Sequence, residues 1–310
     1  MIIQTKDLVK RYKGKIVLNH MNLEVNEGEI FGLLGPNGSG KTSFINCLLG
    51  LTTYDGGQIK LFNREMNRKD VEIKRQIGVV MQEIGVYEEL TVYENIDYFC
   101  GLYVQDCNKR MELVEEAIEL VKLQDYIGAY PKTLSGGLLR RLNIACGIAH
   151  QPKLIILDEP TLAIDVNMRH VILEGLKKLN QKGSTILYTS HYMEEIEMIC
   201  SQIGIMSQGK VIARGSKEAL LGMISAGETI KIEIVELPDE IKQGIRELPH
   251  VECISYEGNI LEVKYRRGQN NLRLLLDYLD QEKIQLGNIE DKMPNLNDVF
   301  LELTGRELMR

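Results

Sequence analysis

The sequence has no tryptophan, only seven prolines and no long apolar run, and each shortage limits what the chain can be. No stretch approaches the roughly 20 consecutive apolar residues that a membrane-spanning helix needs. The apolar run at 154–157 has only the length of a strand. The segment from Met1 to Lys6 lacks a basic region followed by an apolar core, so no signal peptide is predicted. We therefore expect a cytoplasmic protein, peripheral on the inner face of the cell membrane if it acts there.

The composition excludes further classes of protein. None of the six cysteines forms a CxxC pair, which favours reduced thiols in a reducing compartment. The 37 basic and 44 acidic residues give a net charge of −7, which argues against a general nucleic-acid binder. With 310 residues and 44% hydrophobic content, the chain can bury one large core, alone or with a second, smaller one.

The hydrophobic pattern predicts an α/β domain over residues 1–225. Residues 2–9 and 15–25 alternate apolar and polar side chains, which indicates antiparallel strands at the start. Continuous apolar runs at 154–157 and 185–189 are typical of central parallel strands, with helices between them. The predicted fold is therefore α/β with a mostly parallel core sheet.

A second, small α+β domain is predicted over residues 226–310. Its order of elements, β-α-β-β-α-β followed by a helix, is that of a ferredoxin-like domain. The predicted elements are strands at 229–235, 251–256, 259–264 and 284–290, and helices at 239–247, 269–281 and 296–308.

A phosphate-binding loop is predicted at residues 35–42, which read Gly-Pro-Asn-Gly-Ser-Gly-Lys-Thr and match G-x-x-x-x-G-K-[ST]. Glycines let successive backbone N–H groups turn toward phosphate oxygens, and the following helix adds its positive end. Lys41 is expected to bind the β- and γ-phosphates, and the Thr42 hydroxyl to bind Mg²⁺. Kinases, GTPases and motor ATPases share this motif. The predicted loop contacts are Asn37, Gly38, Ser39, Gly40, Lys41, Thr42 and Ser43.

Two adjacent carboxylates, Asp158 and Glu159, end the apolar run that begins at Leu154. Side chains alternate along a strand, so consecutive acids can serve different partners. We expect Asp158 to hold Mg²⁺ and Glu159 to polarise the attacking water as a general base.

Residues 134–137, Leu-Ser-Gly-Gly, lie between these two motifs and resemble the signature motif of ABC ATPases. The resemblance implies a P-loop ABC ATPase cassette with an antiparallel β subdomain and a helical subdomain. It also implies that Ser135 and the amides of Gly136 and Gly137 contact the γ-phosphate of ATP held by the opposite subunit of a dimer.

Four more residues match the family in its order. Tyr12 is similar to the aromatic residue that stacks on adenine, and Gln82 to the glutamine that binds Mg²⁺ and links to the membrane subunit. Asp165 matches the loop that crosses the dimer interface, and His191 the histidine that contacts the γ-phosphate. The implied catalytic set is Glu159, His191, Lys41 and Gln82, and the implied metal ligands are Thr42, Gln82 and Asp158.

Three residues depart from the family pattern. Leu138 follows the signature where a polar Gln or a Met is usual, and Ala163 and Val166 replace the usual Gly and Pro. All three belong to the implied dimer interface. The departures therefore concern hydrolysis and dimer affinity more than ATP binding.

The C-terminal residues 294–306 are similar to the end of bacterial drug-efflux ABC ATPases, and 88–95 also match. The resemblance implies an ATPase subunit that energises export through a separate permease, docked near 83–92. The working dimer would pair two copies or two paralogues head to tail.

Two alternatives stay open. A soluble ABC ATPase acting on ribosomes or DNA usually has two fused cassettes or a coiled-coil insertion, and this sequence has neither. An ATP-gated regulatory module with weak hydrolysis is favoured only by the interface departures.

Overall fold

The computed structural model of the chain describes residues 1–224, 226–266 and 270–305, which divide into two compact units. The first unit is Met1–Lys217 and the second starts at Glu218. The predicted boundary at 225/226 stays a prediction, and Ser225 itself lies outside the described residues. No helix among the described residues combines the length and apolar character that crossing a bilayer requires.

The first unit contains ten strands and seven α-helices within the residues that the structure describes, and a further short helix begins at its last residue. The strands are β1 (Ile3–Tyr12), β2 (Lys15–Val25), β3 (Ile30–Leu34), β4 (Gly56–Leu61), β5 (Arg64–Glu65), β6 (Ile77–Val80), β7 (Leu154–Asp158), β8 (Thr185–Ser190), β9 (Gln202–Ser207) and β10 (Lys210–Gly215). The helices are α1 (Lys41–Leu48), α2 (Val71–Lys74), α3 (Val92–Gly101), α4 (Cys107–Leu120), α5 (Gly136–Ile148), α6 (Val166–Gln181) and α7 (Met193–Ile199), followed by α8 (Lys217–Leu221).

The core sheet has the strand order β10-β9-β3-β8-β7-β6, and every neighbouring pair except β10 and β9 is parallel. All residues of β3, β7 and β8 are buried, as expected of central parallel strands covered on both faces. The carboxyl ends of β3, β7 and β8 lead into the phosphate loop, the two carboxylates and the predicted histidine. Parallel pairing therefore places these three motifs at one edge of the sheet.

The remaining parts of the first unit are an antiparallel sheet and a helical layer. The antiparallel sheet has the order β2-β1-β4-β5. It shares one apolar cluster with α1 and the core sheet, in which Leu18, Phe31 and Phe44 are fully buried. Helices α3, α4 and α5 pack against one another. The predicted cassette with antiparallel and helical subdomains is therefore present.

The second unit is a β-α-β-β-α-β arrangement with a four-stranded antiparallel sheet of order β12-β13-β11-β14. Helices α9 and α10 add Ile241, Ile245, Leu275 and Leu279 to a core formed with the sheet. The elements are β11 (Ala226–Glu233), α9 (Asp239–Glu247), β12 (Val251–Glu257), β13 (Ile260–Arg266), α10 (Asn271–Gln281), β14 (Ile289–Lys292) and α11 (Leu296–Thr304).

Two predicted elements of the second unit were misplaced. The last strand was predicted at 284–290, but the chain after α10 turns through Lys283, at φ 55°, and pairs with β11 only from Ile289. The last helix was predicted to reach residue 308, but it ends at Thr304 because Gly305 is left-handed, at φ 66°. The predicted residues 269 and 306–308 lie outside the described part of the chain.

Candidate nucleotide-binding and hydrolysis site

The phosphate loop connects β3 to α1 and depends on its glycines. Gly38 and Gly40 have φ values of 77° and 110°, in the left-handed region that disfavours other residues. A Cβ on Gly35 would lie 2.5 Å from the Met206 carbonyl oxygen, and one on Gly40 would lie 2.9 Å from the Met206 Cε. The loop therefore accepts only glycine at these places, as a backbone cradle for phosphate requires.

Lys41 is the first residue of α1 and its side chain is almost fully buried. Its Nζ donates to the carbonyl oxygens of Gly35 (2.7 Å) and Pro36 (3.3 Å), and lies 3.4 Å from Oε1 of Glu159. Burial lowers the pKa of Lys41, while the charge of Glu159 opposes that shift. The ammonium group is thus fixed over the loop and next to the carboxylate.

Glu159 follows β7 with φ 48°, an uncommon backbone conformation for a residue other than glycine. Its N–H donates to the backbone oxygen and to Oγ1 of Thr189, both at 3.1 Å. Its Oε2 lies 3.1 Å from Nδ1 of His191. The carboxylate therefore lies between an ammonium group and an imidazole.

Asp158 is completely buried. Its Oδ1 accepts a 2.6 Å hydrogen bond from Oγ1 of Thr189, but its Oδ2 has no hydrogen-bond partner among the described residues. A buried carboxylate oxygen without a partner is costly. A bound cation would give this oxygen a partner, and the predicted metal-binding role of Asp158 stays a prediction.

A cleft of about 530 Å³ opens in front of these groups. It brings together most of the predicted loop contacts and all four predicted catalytic residues. The lining residues are Val17, Asn37, Gly38, Gly40, Lys41, Thr42, Ser43, Gln82, Glu159, Leu162 and His191.

Tyr12, Ser39 and Asp158 do not line this cleft. Tyr12 is 42% exposed on β1, with Nζ of Lys10 lying 4.7 Å from its ring centre. Ser39 is buried in the loop, where its N–H donates to the Pro36 carbonyl oxygen at 3.1 Å.

The signature residues also lie outside the cleft. Ser135 is the N-cap of α5, where its Oγ accepts from the N–H of Leu138 at 3.3 Å, and it is exposed. Gly136 has open space around it, whereas a Cβ on Gly137 would lie 3.2 Å from the Ala163 carbonyl oxygen. The signature loop and the loop around Ala163 are therefore neighbours within one chain.

The predicted interface loop precedes α6. Asp165 caps that helix by accepting from the N–H of Met168 at 2.9 Å. Ala163 has φ 64°, where the usual glycine of the family would fit without strain. Val166, at the first helical position that favours proline, is 76% exposed.

Glu195 was missed by sequence reasoning, although it belongs to the segment that identified His191. It is 2% exposed, and an almost fully buried acid must find partners. The partners are Oγ1 of Thr161 (2.6 Å), the Tyr188 hydroxyl (2.8 Å), Oγ of Ser190 (2.8 Å) and Nε of Arg169 (3.2 Å). This network joins the loop after Glu159 to the strand before His191.

Arg140 was also missed. In the sequence it is one of two adjacent arginines that continue the signature helix, a pattern more typical of a solvated helix face. In the structure it is only 3% exposed, and its guanidinium donates to the backbone carbonyl oxygens of Asp158 and Glu159.

Comparison with known proteins agrees with this geometry. The family model described as ABC transporter matches residues 18–162. The linearmycin resistance ATP-binding protein LnrL of Bacillus subtilis (strain 168) is 35% identical over 309 residues, which cover 99% of each chain. This chain belongs to the ATP-binding proteins of the ABC transporter family.

Other relatives and solved structures extend this result. The Nod factor export ATP-binding protein I of Rhizobium sp. (strain N33) is 34% identical and covers 96% of this chain and 95% of its own. A solved ATP-binding subunit of an ABC transporter superposes with a TM-score of 0.67 at 26% identity, over 72% of this chain and 93% of its own. A dimeric ATP-binding cassette in a post-hydrolysis state, bound to ADP and Pi, superposes with a TM-score of 0.64 at 27% identity, over 69% of this chain and 98% of its own. The predicted ABC ATPase, its cassette fold and its binding of ATP are thereby confirmed.

Proposed function

We propose that this ABC ATPase hydrolyses ATP with Mg²⁺ in a head-to-tail dimer and thereby drives export through a separate membrane permease. The observation that carries the proposal is the position of the Glu159 carboxylate at the cleft. It lies 3.4 Å from the Lys41 ammonium and 3.1 Å from the His191 imidazole. A general base, a phosphate-binding cation and a γ-phosphate contact are thus assembled within one chain.

Each group in the cleft has a separate chemical role. The N–H groups of the loop and the Lys41 ammonium bind the β- and γ-phosphates. Glu159 accepts a proton from the attacking water, and His191 orients that carboxylate and contacts the γ-phosphate. Tyr12, exposed on β1, stacks on the adenine ring.

The residues present fit Mg²⁺. The Thr42 hydroxyl and the Gln82 amide oxygen, which line the cleft, would hold it together with the Asp158 carboxylate, whose Oδ2 is buried without a partner in the described structure. Hydroxyl, amide and carboxylate oxygens are the ligands that Mg²⁺ prefers. When bound, the ion neutralises charge that develops on the phosphate oxygens.

The dimer is required because the signature residues do not line the cleft of their own chain. Ser135, Gly136 and Gly137 serve ATP held by the partner, which is a second copy or a paralogous ATPase, and Asp165 lies on the loop crossing between them. Support comes from the exposure of Ser135 and from the solved dimeric cassette bound to ADP and Pi. ATP contacted from both sides holds the dimer closed, and loss of phosphate opens it.

Export and a permease partner are supported by the relatives and by one surface. One relative is named for linearmycin resistance and another for Nod factor export. The segment 83–92 after Gln82 exposes two large side chains, Ile84 at 39% and Tyr87 at 45%. Exposed aromatic and aliphatic side chains suit a protein contact, here with a permease at the inner face of the membrane.

Steady-state hydrolysis by Glu159→Gln tests the proposal. We expect turnover to fall by roughly 100-fold or more, because the amide cannot accept the proton, while ATP binding persists. Size-exclusion chromatography with ATP should then show an accumulated dimer. The control is Glu115→Gln, which neutralises an exposed carboxylate on α4. Wild-type turnover by Glu159→Gln would refute the general base, and a monomer with bound ATP would refute the shared site.

A further inference from the structure

The guanidinium of Arg140 makes an unusual number of backbone contacts. Arg140 lies on α5, and all five of its N–H groups have an acceptor: Nε donates once, and Nη1 and Nη2 donate twice each. The acceptors are the carbonyl oxygens of Met81 (2.8 Å), Gln82 (2.7 Å), Asp158 (3.1 Å), Glu159 (2.7 Å) and Pro160 (2.8 Å).

These acceptors lie at the carboxyl ends of two adjacent parallel strands, β6 and β7. The ladder between β6 and β7 ends at the pair Val80 and Leu157. Beyond that pair, Nη1 binds the chain leaving β6, while Nη2 and Nε bind the chain leaving β7. The arginine therefore joins two segments whose own hydrogen-bond ladder has stopped.

The shape of the group matters as much as its charge. A guanidinium holds its donors in a rigid planar fork, whereas the ammonium of lysine offers three donors on one flexible stem. No carboxylate pairs with Arg140 in the parts of the chain that the structure describes. Burial lowers the pKa of Arg140, and the nearby charge of Asp158 opposes that shift. Its contacts are thus entirely to backbone oxygens whose positions it fixes.

We propose that Arg140 is a positioning residue that locks the backbone of Gln82 to the backbone of Glu159. The loop facing the proposed permease and the proposed general base then keep one relative position. The inference rests on the proposed roles of these two residues. Because Ser135 caps the same helix five residues earlier, about 8 Å away along the axis, the lock also lies next to the signature loop.

Two substitutions of Arg140 separate geometry from charge. Arg140→Met removes all five donors, and Arg140→Lys keeps the charge but not the fork. We expect both to lower kcat for ATP hydrolysis by about 10- to 100-fold, because a displacement of about 1 Å at a catalytic group has that effect. The KM for ATP should stay within about threefold, since Lys41 and the loop are untouched.

Arg141 is the matched control for loss of stability. It is the next residue of α5, and its Nη1 donates to the carbonyl oxygens of Val121 (3.0 Å) and Lys122 (2.9 Å), away from the carboxylates. We expect both Arg141→Met and Arg140→Met to lower Tm. Arg141→Met should leave kcat per folded protein within about threefold. If Arg140→Met is insoluble, the kcat and Tm of Arg140→Lys are compared with those of Arg141→Met instead.

A double-substitution cycle with Glu159→Gln decides whether Arg140 acts through that residue. We expect Arg140→Met to leave the residual hydrolysis of Glu159→Gln within about twofold. Three results would each overturn the proposal. The first is that the losses in kcat from Arg140→Met and Glu159→Gln are additive. The others are a kcat of Arg140→Met equal to that of Arg141→Met, and a full kcat in Arg140→Lys. Normal turnover by Glu159→Gln alone would instead overturn the proposed function, and with it the role of Arg140.

Discussion

The phosphate loop and the signature loop each precede a helix whose N-terminus is expected to bind phosphate. They differ in how many surrounding side chains the chain itself holds in place. Around the phosphate loop, Lys41, Glu159 and His191 are held in contact by the protein itself. At the signature loop, the Ser135 hydroxyl accepts the capping bond and makes no other hydrogen bond within the described residues, and Gly136 has open space around it. One region is a preassembled cluster of side chains, and the other is an exposed surface that we propose binds phosphate only when a second subunit arrives.

The departures from the family pattern are all on the exposed side of this comparison. Ala163 has a left-handed backbone, and Val166 occupies a position that favours proline. The phosphate loop has no such departure. The departures therefore lie where two subunits are proposed to meet.

The largest effect on hydrolysis is expected from Ser135→Arg, which tests the difference between the signature loop and the phosphate loop. The bulky side chain should block the partner's phosphate and lower hydrolysis by roughly 100-fold, while ATP binding to the single chain stays within about threefold. Fluorescent ATP titration and steady-state hydrolysis measure the two quantities. Ser255→Arg, at an exposed serine of β12, is the control. Loss of ATP binding by the single chain would show that Ser135 serves its own cleft.

The second prediction concerns His150, which lies just beyond the carboxyl end of α5 and has buried ring nitrogens, whereas the signature end of the same helix is exposed. His150 stacks on Tyr103 at 3.9 Å between ring centres, and burial lowers its pKa to about 4. A depressed folded-state pKa contributes stability that is present above the unfolded value of about 6.5 and is lost as pH falls toward 4.

We expect His150→Asn to remove about 1 to 3 kcal/mol of the pH dependence of unfolding between pH 6.5 and 4. Urea unfolding at several pH values measures it. His170→Asn, at an exposed histidine, is the control. An unchanged slope in His150→Asn would mean that this end of α5 is as accessible to protons as the signature end.

The smallest effect is expected from restoring the family residues in Ala163→Gly and Val166→Pro. Each should raise the free energy of unfolding by about 0.5 to 1 kcal/mol, since glycine tolerates φ 64° and proline favours the first helical turn. Thermal unfolding and the ATP dependence of dimerisation measure the result. Ala149→Gly, at φ −55°, is the control and should destabilise. A lower Tm in Ala163→Gly would show that the left-handed backbone of Ala163 does not destabilise the chain.

The sequence by itself determined the features that depend on local backbone chemistry. The spacing of glycines and Lys41 specifies the loop, and the apolar run before Asp158 specifies a buried strand, because both follow from neighbouring residues. The ABC family and the α/β cassette were predicted from these motifs and are confirmed. The roles of the individual site residues stay predictions.

Only the tertiary structure decided which distant residues share one site. Parallel pairing of β3, β8 and β7 brings Lys41, His191 and Glu159 together although they are far apart in sequence. The buried networks of Arg140 and Glu195 appear only after packing removes water and forces each charge to find partners. A short motif fixes local geometry, whereas a contact across the fold depends on how every intervening element packs.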